Sequence, residues 1–250
     1  MQLLSPVNPV LALLRTKRWI GFTILVVTLI AAFGFLSHWQ FSRAEMKREE
    51  RIALESAATL SPTALPSDSN LLDAAEWNRF TATGTFDSQS QVVVRKRPLN
   101  GTNGYWVMTL FTERNGHTVW VNRGWFSASG AATTMPPIVA APIGEQTLVG
   151  AWRFYEEVSK SDLAGLPTGM IPAPGKDVLP SAASAPGYLQ LTSPKQPELI
   201  MVPTPEIDEV QNMSYAGQWL LFALVGIVGW FVFLRREAAD DKKRALVHQP

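Results

Sequence analysis

Polarity changes along this chain in three ways, and each marks a different kind of element. Two runs carry no formal charge: WIGFTILVVTLIAAFGFLSHW, from Trp19 to Trp39, and GQWLLFALVGIVGWFVFL, from Gly217 to Leu234. As a helix the first would be about 31 Å long at ~1.5 Å per residue, enough to cross a bilayer. Trp19, Trp39, Trp219 and Trp230 stand at or near the ends of these runs, where indole rings favour the headgroup layer. Between the runs the pattern shortens to that of strands. RFTATGTF (79–86), SQVVVRKR (90–97), GYWVMTLFTE (104–113), HTVWVNRGWF (117–126), QTLVGAWRFY (146–155), GYLQLTS (187–193) and ELIMVPT (198–204) alternate or bunch apolar residues over short stretches. RNG at 114–116 reads as a tight hairpin turn in which glycine supplies a positive φ.

Polar interruptions divide the rest. Beyond the first run, Arg43, Lys47, Arg48 and Arg51 are mixed with Glu45, Glu49, Glu50 and Glu55. Spacings such as Arg51 to Glu55 at i,i+4 predict a solvated continuation of the helix. SPTALPSDSN (61–70) is a linker, and residues 156–187, with prolines at 167, 172, 174, 180 and 186, predict a long loop or flap with one helical turn at SDLAGL. The architecture that results is a membrane α+β protein, with two transmembrane helices flanking a mainly antiparallel β domain built as a sheet or partial barrel. Its parts are a tail (1–18), a transmembrane helix (19–39), an outer domain (40–213), a second transmembrane helix (214–235) and a second tail (236–250). The outer domain contains the charged helix (40–60) and the β domain (77–204).

Charge sets the orientation. Arg235, Arg236, Lys242, Lys243 and Arg244 follow the second run, which predicts a cytoplasmic C-terminus, and two spans then put the N-terminus on the same side. The exit FLSHWQ lacks a small-residue cleavage pattern, so the first run reads as an uncleaved anchor. Hydrophobic residues make up 46% and charged residues 17% of the chain, a charge deficit against the average of about 25% that the two runs explain. The net charge of +1 leaves no basic footprint for a nucleic acid. With no cysteine, and with His38, His117 and His248 far apart, neither disulfides nor a metal-ligand spacing are available. No phosphate-cradling glycine loop or GxSxG elbow is present.

VWVNRGWF (119–126) is unusual. Read as a half-buried strand, it puts Val119 and Val121 on one face and Trp120 and Asn122 on the other, yet it holds a polar pair in its middle. Arg123, beside tryptophans, either packs with its guanidinium over an indole or joins Asn122 in offering directed donors to a carboxylate of a cofactor, such as a haem propionate, or of a partner. Gly124 would permit a bulge or a close backbone approach.

Taken in order, HWQFSR (38–43), GTNGYWVMTLF (101–111), VWVNRGWF (119–126) and NMSYAGQWLLFA (212–223) resemble the surfeit-locus (Surf/Shy) family of cytochrome c oxidase assembly factors over nearly the whole chain. The resemblance implies a non-enzymatic role in maturing haem-copper oxidases, by helping haem a reach the catalytic subunit or by holding that subunit during assembly. It implies the oxidase catalytic subunit, haem A synthase and the lipid bilayer as partners, haem a as a transient cofactor, and a bacterial plasma membrane location. By motif, Trp39, Gln40 and Arg43, then Gly104, then Asn122, Arg123, Gly124 and Trp125, and finally Tyr215, Gln218 and Trp219 match the family pattern. The resemblance thus makes Arg123, Asn212, Tyr215 and Trp219 the candidates for meeting haem, and the others candidates for partner contact.

One position departs from that pattern. Many bacterial members carry a histidine three residues before the motif tyrosine, where this chain has Asn212, and a carboxamide is a poor iron ligand. Met213 and His38 are the remaining nearby donors. Tyr215 and Trp219 at i,i+4 would share a helix face on which a porphyrin could stack. The rival reading from another class is an accessory subunit permanently bound to the oxidase.

Overall fold

Side chains from Trp19 to Trp39 bring almost no polar atoms, so inside a bilayer the backbone N–H and C=O groups must satisfy one another within the segment, and a helix does so. In the computed structural model, which describes residues 9–66, 71–128 and 134–247, this run lies within a single helix. The outermost parts of both tails, His248 and the end of the 61–70 linker fall outside the described residues. A short helix α1 (Pro9–Leu14) precedes α2 (Lys17–Thr59), and α3 (Val210–Val247) ends the chain. α2 continues unbroken through the charged stretch, with Glu45 and Arg48 paired at 3.6 Å. It ends just before Ser61-Pro62, since a residue preceding proline is driven out of the α region.

Residues 1–51 and 206–250 form one compact unit and residues 52–205 another. In the first, the contacts run Thr23 to Trp230, Phe33 to Trp219, Ser37 to Ala216 and Gln40 to Asn212. Rising numbers on α2 meet falling numbers on α3, so the helices are antiparallel. Both are long and apolar enough to cross a membrane. Their apolar side chains point outward, with Ile24 61%, Phe35 70% and Val225 61% exposed. Water would not tolerate so continuous an apolar surface, whereas lipid does.

Of the four basic residues beyond the first span, Lys47 and Arg51 are tied to the segment that leads into α3. Arg51 forks onto Glu209, with Nη2 donating to Oε1 at 2.9 Å and Nε to Oε2 at 3.2 Å, and Lys47 Nζ donates to the Asp208 carbonyl at 3.0 Å. Hydrogen bonding from Arg51 holds the Glu209 carboxyl below the usual carboxylate range. These cations are therefore committed to the segment that leads into α3, which accounts for their presence on the side opposite the basic tail.

The second unit is built of strands β1 (Thr63–Ala64), β2 (Arg79–Val94), β3 (Gly104–Glu113), β4 (Thr118–Ser127), β5 (Gln146–Phe154), β6 (Met170–Ile171) and β7 (Gly187–Ser193). The pairing path β2–β3–β4–β7–β5 returns from β5 to β2 and closes a ring of strands. Within the ring only β4–β7 is parallel, while β1 and β6 add short parallel pairings to β2. The mainly antiparallel partial barrel is thus the architecture found. β3, β5 and β7 match their predicted runs to within a residue. The hairpin at Gly116 has the predicted positive φ, 87°.

Three expectations need correction. First, runs 79–86 and 90–97 are not separate strands. They merge into β2, which ends at Val94 and leaves 95–97 outside any strand, and its register against β3 slips between Phe86 and Gln91. Asp87 stabilises the slip by accepting from Gln89 N at 2.9 Å and Ser90 Oγ at 2.6 Å, and this irregularity interrupted the alternation. Second, residues 198–204 form no strand and contribute a single bridge, Ile200 to Trp125. Third, β4 is buried on both faces. Val119 and Val121 enter a cluster with Phe80, Phe111, Leu148 and Trp152, while Trp120 enters another with Val92, Met108, Ile171 and Tyr188.

The proline-rich stretch causes this double burial. It contains the predicted turn, a 3-10 segment at Lys160–Leu163, and β6, which pairs with Val93 and Val94. Val178 and Ile171 pack into the second cluster, and Trp120 Nε1 donates to the Ser181 carbonyl at 3.0 Å. Residues 156–187 are therefore a packed cover over one face of the sheet, because small residues and prolines let the chain follow the apolar surface closely.

Candidate functional site

The motif residues fall into two groups, one in each unit. In the helical unit, Asn212 Nδ2 donates to Gln40 Oε1 at 2.8 Å. One helical turn deeper, Ser37 Oγ donates to the Ala216 carbonyl at 2.9 Å, with both residues buried. Trp219 stacks on Phe33 with ring centroids 5.7 Å apart and 22° between planes, and meets Phe222 edge-on at 5.8 Å. Two motifs far apart in sequence, HWQFSR and NMSYAGQW, thus form one helix–helix junction where the uncharged runs end. Around it Trp39, Met213, Tyr215 and Gln218 are exposed, and Arg43 lies over the Trp39 ring at 5.8 Å. Tyr215 and Trp219 differ in use: Tyr215 is 44% exposed, while Trp219 packs against α2.

In the β domain, the polar pair in β4 has a specific cause. Val107 faces Gly124 and Met108 faces Asn122, so Arg123 has no partner in β3 and is the extra residue of a β-bulge. Asn122 Oδ1 closes the bulge by accepting from Gly124 N at 3.2 Å. Arg123 is only 1% exposed. Its Nη1 donates to Gln91 Oε1 at 2.9 Å and the Val139 carbonyl at 3.0 Å; its Nη2 donates to the Ala140 carbonyl at 2.7 Å and Gln196 Oε1 at 3.2 Å. The Phe86 ring lies 5.6 Å away. Burial pulls the guanidinium down to about 10, so it remains charged at neutral pH. Four neutral acceptors offset part of a desolvation cost that is otherwise several kcal/mol.

Of the two roles open to Arg123, this geometry is the packed one, but the ring beside the guanidinium is the phenyl of Phe86 and not the expected indole. Its terminal nitrogens tie β4 to the 139–140 and 196 segments and are directed inward. Asn122, 1% exposed, is likewise turned into the fold.

Gly124 and Gly104 each make room for a close approach. Gly124 has φ 146°, and a Cβ there would lie 2.8 Å from the Ile200 carbonyl oxygen. Next to it, Trp125 N donates to Ile200 O at 2.7 Å and Ile200 N returns a bond at 2.8 Å. Both options raised by that glycine, bulge and backbone approach, are realised together. A Cβ on Gly104 would lie 2.2 Å from Trp125 Cε2, so the indole covers that glycine, and Trp125 Nε1 donates to the Arg97 carbonyl at 2.6 Å. Arg97 in turn stacks on Trp106 at 4.2 Å and pairs with Glu156 at 2.8 Å, linking the NRGW region to the proline-rich cover.

Of the partners that complete this arrangement, Gln91, Gln196 and Ile200 gave no usable signal in the sequence. They are ordinary polar or apolar residues distant from the motif. Only RKRP, a basic cluster at a strand end, could have suggested Arg97.

At the span junction the motif position itself, Asn212, gives haem no strong ligand, and the donors left nearby are the exposed Met213 and His38. The Asn212 carboxamide is a weak iron ligand and its amino group is engaged with Gln40. One face of Trp219 is taken by Phe33. Among the described residues no group of three or more His, Cys, Asp or Glu side chains converges as a metal site.

Comparison with known proteins follows the same outline. The model of the SURF1 family matches residues 27–224. An uncharacterised SURF1-like protein of Mycobacterium tuberculosis is 28% identical over 244 residues, covering 92% of this chain and 88% of that protein, and one of Mycobacterium bovis matches to the same extent. The cytochrome oxidase assembly protein SHY1 of Saccharomyces cerevisiae is 30% identical over 101 residues, covering 39% of this chain and 26% of its own length.

Proposed function

This chain belongs to the SURF1 family, and from that membership we propose that it is a membrane-bound assembly factor for cytochrome oxidase, acting on the catalytic subunit without chemistry of its own. The observation that carries this reading is the extent of the family match, which runs from the first apolar helix through the β domain into the second. The name of the yeast relative supplies the process. In this reading both termini are cytoplasmic and the β domain lies outside a bacterial plasma membrane.

The working surface is the exposed band around the Gln40–Asn212 junction. Trp39, Met213 and Tyr215 are 46%, 43% and 44% exposed there, at the depth where a transmembrane partner would lie alongside. Amphipathic aromatic side chains suit such a contact, since they present a large apolar area with a polar tip. Haem a enters as cargo of the oxidase rather than as a resident cofactor of this chain, and haem A synthase is the partner upstream. Arg123 and Asn122 contribute by holding the β domain in shape.

The test compares cells with and without the chain. Loss should lower haem a per oxidase catalytic subunit, and the tagged protein should copurify with oxidase at well below equal amounts. Unchanged haem a content would overturn the assembly role. Retention at one copy per active oxidase would assign it to an accessory subunit instead.

A further inference from the structure

The other end of the helix pair carries a second, unassigned site. Arg18 is the last charged residue before the first uncharged run, and Arg235 the first after the second run, so this end lies at the headgroup level of the leaflet next to the tails. Here a cleft of about 340 Å³ opens between α2 and α3, lined by Arg18, Trp19, Phe22, Phe233 and Glu237. Its walls are aromatic and mutually braced: Phe22 meets Trp19 edge-on at 5.5 Å and Phe233 at 6.5 Å. Leu13 of α1 and Leu234 pack behind Trp19. Arg18 Nη1 donates to Glu237 Oε1 at 3.0 Å, with the Arg18 side chain 79% and the Glu237 side chain 30% exposed.

We propose that this cleft binds a phospholipid whose headgroup carries both a phosphate and a primary ammonium. A cation and an anion held side by side match a zwitterionic headgroup in reverse: phosphate oxygens accept from the guanidinium, which has five N–H donors, and the ammonium donates to the Glu237 carboxylate. The aromatic walls take the glycerol and first acyl carbons. A quaternary trimethylammonium has no N–H to donate, and a glycerol headgroup has no cation for Glu237, so the site should discriminate among lipids that share a phosphate.

The test is native mass spectrometry of the full-length protein in detergent, offered matched-chain phosphatidylethanolamine, phosphatidylcholine and phosphatidylglycerol. Phosphatidylethanolamine should be retained about tenfold over phosphatidylcholine, the ratio that ~1.4 kcal/mol produces. Glu237→Gln should abolish that preference while leaving phosphatidylcholine retention unchanged, and Arg18→Gln should lower retention of all three. Soluble glycerophosphoethanolamine at the lipid's concentration should fail to displace the lipid. Equal retention of the two zwitterionic lipids by the unmodified protein, a preference that survives Glu237→Gln in a helical variant, or displacement by the soluble headgroup would each overturn the proposal.

Discussion

Asn212 donates a hydrogen bond to Gln40 at 2.8 Å and so joins the exit of the first span to the entry of the second. Its partner is a side-chain carbonyl, which explains why a carboxamide serves well at a position where an iron ligand would need a different group. Asn212→Leu should lower the stability of the helix pair by about 1 kcal/mol, the usual net value of such a bond, read by thermal unfolding in detergent. Asn212→His adds an imidazole and should convert weak or absent haem a binding into a low-spin absorption spectrum. Tight six-coordinate haem in the unmodified protein would defeat this account and direct attention to His38 or Met213.

Arg123→Lys keeps the charge and loses the planar fork that reaches four acceptors. An ammonium at the end of a lysine cannot span them, so ~2–4 kcal/mol of stability should be lost. Protein abundance and oxidase maturation should then fall in step. Normal abundance and unfolding temperature combined with failed maturation would instead give Arg123 a direct functional role.

At Gly104, alanine has nowhere to go. The added Cβ would meet the Trp125 indole, which must swing out and release its bond to the Arg97 carbonyl. Overpacking plus a lost hydrogen bond predicts a destabilisation of ~2–4 kcal/mol, visible as an earlier denaturant midpoint. A Gly104→Ala protein as stable as the parent would show that the indole is free to move.

Orientation can be read by cysteine labelling, because the chain has no cysteine of its own. Ile143 is 98% exposed in the β domain and Ala239 is exposed beyond the second span. In intact cells an impermeant thiol reagent should label Ile143→Cys and spare Ala239→Cys. The opposite result would invert the topology.

Acid should loosen the grip of Arg51 on Glu209. The carboxyl is held below its ordinary range, so the pair stabilises the protein above the unfolded-state value and this contribution is lost as pH falls through the folded-state value. Glu209→Gln should remove that acid-dependent part of the unfolding curve: the variant falls slightly below the parent at neutral pH and converges with it in acid, the loss being small because both side chains stay partly open to solvent. A variant with the same acid dependence as the parent would rule out the pair as its source.

Hydropathy and periodicity are local properties, and whatever rests on them was legible in the sequence: both spans, the charged extension of the first, the Gly116 hairpin and most strands. The motif order pointed to the family for the same reason, since short segments identify themselves. What tertiary structure decided was which residues meet. The guanidinium of Arg123 is an internal tie because residues 91, 139–140 and 196 converge on it. β4 is buried on both faces because a proline-rich segment that reads as a loose excursion lies across it. Residues 79–94 are one strand because β3 pairs with them on both sides of a register slip that looks like a break when read alone. Burial and hydrogen-bond satisfaction depend on neighbours brought in from distant parts of the chain, and no periodicity within a strand or helix encodes which neighbours those will be.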